Sequence, residues 1–252
     1  MAFGLKNKQR FILFLLAGCL IFLTVSCGLD VVSVVLDDFV TDVKDPPVVD
    51  SEYKTNYDVC EFTFTTKKLD NSTDMGNGYV YYKIYNRYST AYSQVSNLVA
   101  MTEDDNRKGN SFTSMSNTYG YKELHVKTPG SAYAGSFQIS NAYHNNVSIR
   151  LTNYSSGSYN AHVLVDGTNV GVPVRNTNSL TFDFGRKGDN DKLPEETDQD
   201  FNYQTNSEPS EDGIYYVALF SVFMMFDDNW ESIYSPVHYL GMVAINSKTE
   251  NN

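Results

Sequence analysis

Two hydrophobic patterns divide this chain. Residues 11–25 are almost continuously apolar, whereas from residue 61 onward apolar residues recur at alternate positions in short stretches separated by turn formers. A period of two puts every second side chain on one face of a half-buried strand. It predicts strands at 61–65, 79–86, 122–127, 136–140, 147–152, 162–166, 180–184 and 239–245. Asp166-Gly167 suits a two-residue primed turn, so residues 162–174 read as a hairpin. Residues 214–226 differ because both alternating faces are apolar: Tyr215, Val217, Leu219 and Phe223 on one, Tyr216, Ala218, Phe220, Val222 and Met224 on the other. That is the pattern of a central strand covered on both sides. Helical spacing occurs over 89–103, where Tyr92, Val95, Leu98, Val99 and Met101 form a stripe behind Ser89 as N-cap. Residues 104–118 read as a polar connection. Residues 186–212, with nine acids and few aliphatic residues, read as a disordered loop. Many short strands with frequent turn signals imply a mainly β fold, an antiparallel β-sandwich carrying one short helix.

The apolar run near the start has a different meaning. Lys6, Lys8 and Arg10 precede it, no acid occurs before Asp30, and Cys27 follows Thr24-Val25-Ser26. A basic start, an apolar core and small residues before a cut site make an export signal rather than part of a domain. The run falls short of the ~20 apolar residues of a spanning helix, so the expected signal helix is removed and not retained. Two cysteines compete as lipid acceptor. Leu16-Ala17-Gly18-Cys19 fits the usual lipobox better, but a cut there strands the apolar residues 20–25 at the new N-terminus. Cutting before Cys27 uses the whole run, which makes Cys27 the expected lipidation site. The chain then divides into a signal peptide (1–26), an acylated N-terminus and tether (27–57, with Pro46-Pro47), and a β-sandwich domain (58–252) that includes the acidic loop 186–212.

Charge and cysteine usage narrow the partners. The whole chain carries a net charge of −11, and cleavage removes three of its 19 basic residues but none of its 30 acids. Nucleic acid is therefore not expected as a partner, because phosphates need neutralising Lys and Arg. With Cys27 acylated, Cys60 has no partner in the mature chain; beside Phe62 and Phe64 it reads as a buried thiol. The chain holds 19 Tyr and 15 Phe but one Trp, a bias toward side chains that fit a pleated surface.

Two resemblances follow from particular residues. Tyr79-Val80-Tyr81-Tyr82-Lys83-Ile84-Tyr85 is similar to the third strand of fibronectin type III and immunoglobulin-like sandwiches. Tyr215-Tyr216-Val217-Ala218-Leu219-Phe220-Ser221-Val222, with Ser235-Pro236 before a last strand, is similar to their closing hairpin. Cys27-Gly28-Leu29-Asp30, Pro46-Pro47, Tyr81-Tyr82-Lys83-Ile84-Tyr85 and Tyr234-Ser235-Pro236…Tyr239-Leu240-Gly241 resemble uncharacterised spirochaetal, treponemal-type lipoproteins. That likeness implies a loose lipobox, which accommodates Thr24, and a place in the bacterial cell envelope on the outer membrane. It implies no activity.

No catalytic motif emerges. There is no Gly-x-Ser-x-Gly, no phosphate loop and no His-Glu-x-x-His, and the four histidines have no ligand spacing. Asp189-Asn190-Asp191 and Asp104-Asp105-Asn106 offer oxygens without the spacing of an EF-hand loop, so no metal or cofactor is expected. Trp230, at a tip beside Asp227 and Asp228, either contacts a ligand or partner or folds back over the end of the sandwich. The expectation is a non-enzymatic, lipid-anchored protein for adhesion or protein interaction. The alternative is a carbohydrate- or solute-binding module, motivated by the Tyr-rich strands and Trp230.

Overall fold

The computed structural model describes residues 39–44, 60–68, 76–151, 161–177, 184–185, 193–205, 213–227 and 229–246, and the backbone of 154–155 and 158–159. All belong to one compact unit, Leu36–Asn252. Cys19, Cys27, Pro46-Pro47, Asp189-Asn190-Asp191 and most of the alternating stretch 180–184 lie outside the described residues.

The chain is mainly β. In order it forms β1 (Val40–Lys44), β2 (Glu61–Thr66), β3 (Asn77–Tyr85), helix α1 (Tyr88–Thr102) and a second helical segment of one 3-10 turn (Lys108–Asn110), one α turn (Ser111–Thr113) and one π turn (Ser114–Thr118). The strands β4 (Lys122–Glu123), β5 (His125–Lys127), β6 (Ala134–Ser136), β7 (Gln138–Ser140), β8 (Asn146–Arg150), β9 (Tyr154–Ser155), β10 (Ser158–Tyr159), β11 (His162–Val165) and β12 (Thr168–Val174) follow. The last are β13 (Phe201–Asn202), β14 (Ile214–Phe226), β15 (Ser232–Tyr234) and β16 (His238–Asn246). One sheet has the order β1-β2-β8-β11-β12-β5-β6. The other is built on β3 and β14, with β15 and β16 beyond β14. The pairings are antiparallel except for the short contact of β13 with β3.

β14 explains the layering. Val217, Leu219 and Phe223 pack into the core between the two sheets with Phe62, Phe64, Val147, Ile149 and Val163. Tyr216, Ala218 and Phe220 pack on the opposite side with Ala91, Val95 and Leu98 of α1 and Met115 of the second segment. The two-sided pattern predicted for 214–226 is therefore realised as sheet, sheet and helix layers. α1 presents Ala91, Val95 and Leu98 at the i, i+4 and i+7 spacing of a buried stripe. Its N-cap is Arg87 with no side-chain cap bond, so Ser89 does not cap it.

Three expectations need correction. There are two helical segments, not one: Met115 and Ser111 are buried and Phe112 stacks on Tyr234 at 3.7 Å, so apolar anchors hold what composition made look like a connection. Residues 40–44, inside the stretch read as tether, form an edge strand on β2. The reason is Phe39, 3% exposed, whose ring packs 5.2 Å from that of Phe223 and sits against Gly78, where any Cβ would collide with it. Residues 193–205 of the acidic stretch are built into the fold, as described below. The 166–167 hairpin forms as read, with Asp166 (φ 49°) and Gly167 (φ 75°) both in the left-handed region a primed turn requires. Cys60 is buried in the core.

The free edge of β3 is tiled by three pieces in succession: β7 against Asn77–Tyr79, β4 against Tyr81 and Tyr82, and β13 against Ile84 and Tyr85. Between β4 and β5 the chain leaves one sheet for the other at buried Leu124, and between β6 and β7 it crosses back at Phe137. Phe137 N–H donates to the Leu124 carbonyl at 3.1 Å, which closes this corner.

The acidic segment is held by charge. Arg175, 2% exposed, donates from Nε to Asp200 Oδ2 (2.9 Å) and from Nη2 to Asp200 Oδ1 (2.7 Å) and Asp198 Oδ2 (2.6 Å). The Tyr82 hydroxyl donates to Asp200 Oδ2 at 2.6 Å and accepts from Asn176 N–H. Burial and the Asp200 charge hold the Tyr82 phenol well above its ordinary pKa, so it remains a donor. Truncating Asp200 to Ala removes two of the three hydrogen bonds of the buried guanidinium and leaves it only the partly exposed Asp198, which should cost about 3–5 kcal/mol in urea unfolding. Replacing Arg175 and Asp200 together by Met and Leu should cost much less, because no orphan charge remains.

Candidate functional site

β4 to β7 carry the residues of interest because the corner at Leu124 and Phe137 keeps strict alternation. Leu124, Val126, Phe137 and Ile139 point into the core. Glu123, His125, Ser136 and Gln138 therefore face outward. Beside them on β3 the outward residues are Tyr79 and Tyr81, with Tyr81 opposite Glu123 and Tyr79 opposite Gln138 in the ladder. Across β14, Tyr234 of β15 pairs with Met224 and completes the same outer face. Phe112 closes one end, edge-on to Tyr81 at 5.5 Å and stacked on Tyr234.

Glu123 is half-buried among these rings, and the Ser136 hydroxyl donates to its Oε1. Burial pushes its carboxyl pKa up to about 7. Among the described residues no Lys, Arg or His forms an ion pair with it. Lys83, which shares the face, turns its amine to the carbonyls of Gly120 and Gln199, both at 3.1 Å. His125 Nδ1 is buried without a hydrogen-bond partner, and burial lowers its pKa. In a hydrolytic relay the imidazole stands between hydroxyl and carboxylate. Here the Ser136 hydroxyl bonds the Glu123 carboxylate directly.

A groove of about 590 Å³ adjoins this face. Val126, Phe137, Ile139, Val165 and Val170 supply its apolar surface, and Thr128, Ser136, Gln138, Ser140 and Asn145 its polar groups. Tyr133, 83% exposed, stands at its border. Ser136 and Gln138 are among the residues of both, so the groove, on the inward side of β6 and β7, and the tyrosine face, on their outward side, meet along these strands. The volume lies in the range of small-molecule sites.

Trp230 does not fold back over the sandwich. It is 71% exposed with φ 65°, and its described ring contact is Phe226 at 6.3 Å. The tip is fixed by Asp227, whose Oδ1 accepts from the N–H groups of Asn229 (2.8 Å) and Glu231 (2.7 Å). An aromatic residue held in the left-handed region costs stability. Asp104 and Asp105 are engaged by Arg107 and Lys108, and among the described residues no group of three His, Cys, Asp or Glu side chains converges to hold a metal.

Glu123, Ser136, Gln138 and Tyr133 were not singled out by sequence reasoning. The alternation of Lys122-Glu123-Leu124-His125-Val126 marks Glu123 as outward, but nothing in it says that Tyr79 and Tyr81 lie alongside. Comparison with family models, curated proteins and solved structures finds no match for this chain.

Because Glu123 has a higher pKa when folded than when unfolded, the folded state binds the extra proton. Stability from this group is complete below about pH 4.5 and is lost as pH rises toward 7. Glu123→Gln should therefore raise Tm at pH 8 while changing it little at pH 5. A larger gain at pH 5 would contradict the burial argument.

Proposed function

We propose that this protein is a bacterial envelope lipoprotein, acylated at Cys27 and held on the outer membrane, whose β domain is a non-enzymatic binding module. The observation that carries the binding half is the groove between the β6–β7 corner and the β11–β12 hairpin, with its apolar floor, polar rim and exposed Tyr133. The anchor half rests on the basic start, the apolar run and the Cys27 that ends it. Presentation of such a groove outside the cell suits adhesion or protein interaction.

The alternative, a carbohydrate-binding module, draws on a separate observation. Exposed rings at Tyr133 and Trp230, together with the Ser, Thr, Asn and Gln groups of the groove, are the surface a sugar uses: flat apolar faces for its ring and neutral partners for its hydroxyls.

The fold supports an immunoglobulin or fibronectin type III-like origin in its neighbour relations. β3, β14 and β16 adjoin in the C-F-G order of that sandwich, and β1, β2 and β8 in its A-B-E order. The departure is β11, which flanks β8 where strand D would stand but follows it in the chain. Spirochaetal kinship is proposed on the motifs quoted above.

Two measurements test the proposal. Cys27→Ala should abolish palmitate labelling in cells and release the protein from the membrane fraction; label that persists and moves only with Cys19 overturns the assignment. On arrays of glycans and extracellular proteins the purified chain should bind one class. Tyr133→Ala or Gln138→Ala should weaken that binding by about tenfold, a loss of about 1.4 kcal/mol, at unchanged Tm. Turnover of a bound ligand would overturn the non-enzymatic reading.

A further inference from the structure

We infer that Glu123, together with Tyr79, Tyr81 and Tyr234, forms a subsite for an alkylammonium group on a small ligand. The inference rests on the binding reading above and names the chemistry of one part of that surface.

Three features of the face converge on a cation. The first is an acid without a counter-ion: Glu123 is half-buried, it receives a hydrogen bond from Ser136, and no basic residue pairs with it among those described. A carboxylate taken partly out of water gains most from a positive partner brought into the same environment. Lys83, on the same face of β3, is held by two carbonyls of other segments and does not serve.

The second feature is the ring arrangement. Tyr79, Tyr81 and Tyr234 come from two strands on either side of β14 and share its outer face, with Phe112 fixing the last two. Aromatic faces carry negative quadrupole charge and attract an ammonium group, while its methyl or methylene groups are sheltered from water. A carboxylate at the border of several rings favours a cation over a neutral apolar group of the same shape. The third feature is long range: a chain of net charge −11 draws cations toward its surface and repels anions.

The protonation state makes the idea testable. Groups facing Glu123 are Tyr79 and Tyr81 from β3, with Tyr234 from β15 beyond them, Ser136 from β6 and His125 along its own strand face; Lys122 lies opposite Tyr82, on the other face. Burial raises the pKa of Tyr79 and Tyr81, which stay neutral, and lowers that of His125, which favours its uncharged form. The charge that changes is therefore that of Glu123, which titrates at about 7. Only the ionised form attracts an ammonium group. The ionised fraction grows about tenfold between pH 6 and pH 8, and apparent affinity should follow it.

The experiment uses the full chain in a non-ionic detergent, titrated calorimetrically with choline, with n-butylammonium and with 3,3-dimethylbutan-1-ol, the uncharged isostere of choline. Choline should bind about tenfold more tightly at pH 8 than at pH 6, and the isostere should bind much more weakly. Glu123→Gln, with Tm measured alongside, should remove the pH dependence and most of the affinity. The butylammonium arm separates a trimethylated from a primary amine as the group preferred; binding of either supports the subsite. Equal binding of the isostere, unchanged binding by Glu123→Gln, or no binding of both ammonium probes overturns it. Loss of ammonium binding with array binding intact removes this subsite alone, whereas loss of both removes the binding proposal itself.

Discussion

Burial of β14 on both faces is the constraint around which the molecule is arranged. A strand that is apolar at odd and even positions exposes too much surface to water unless something covers each side. The second sheet covers Val217, Leu219 and Phe223, and the helices cover Tyr216, Ala218 and Phe220. The strand also needs partners on both edges along its length. β3 supplies one, and β16 followed by β15 the other. Once β14 is satisfied, the position of nearly every other element follows, including the placement of Tyr81 at the border of the helical layer, against Phe112.

A second, polar constraint ties the far end of the domain together. Arg175 leaves β12, Asp200 precedes β13, and Tyr82 lies on β3, so one buried network joins three segments distant in sequence. Buried ions are weak contributors to net stability but tolerate little misplacement. The network therefore fixes where the acidic segment runs: Ile84 N–H donates to the Asp200 carbonyl at 3.0 Å, and β13 continues along β3 from there.

The proposed binding face is a by-product of the same geometry. Because the β4–β7 hairpin changes sheets, its outward residues are shared between the edge of one sheet and the outer face of the other. Ser136 and Gln138 thus belong to a groove and to a tyrosine platform at once. An acid placed at that junction is half-buried by architecture, with its own strand supplying no counter-ion.

Much of the fold was legible in the order of residues. Period-two alternation placed β2, β3, β8 and β16, Asp166-Gly167 placed a turn, and the doubly apolar run placed β14 at the centre, because strand geometry imposes those periods locally. Composition misled at 104–118 and within 186–212, where Met115, Phe112 and Asp200 are isolated anchors in polar surroundings. A single buried residue leaves no period to read. The proposed export signal is likewise read from the sequence alone, from local charge and hydropathy over the first 27 residues. Only the tertiary structure decided that Glu123 meets Tyr79, Tyr81 and Tyr234, that Arg175 meets Asp200, and that Tyr133 borders a groove. Those neighbours are set by sheet order and by the corner at Leu124 and Phe137, which depend on contacts between residues far apart in the chain.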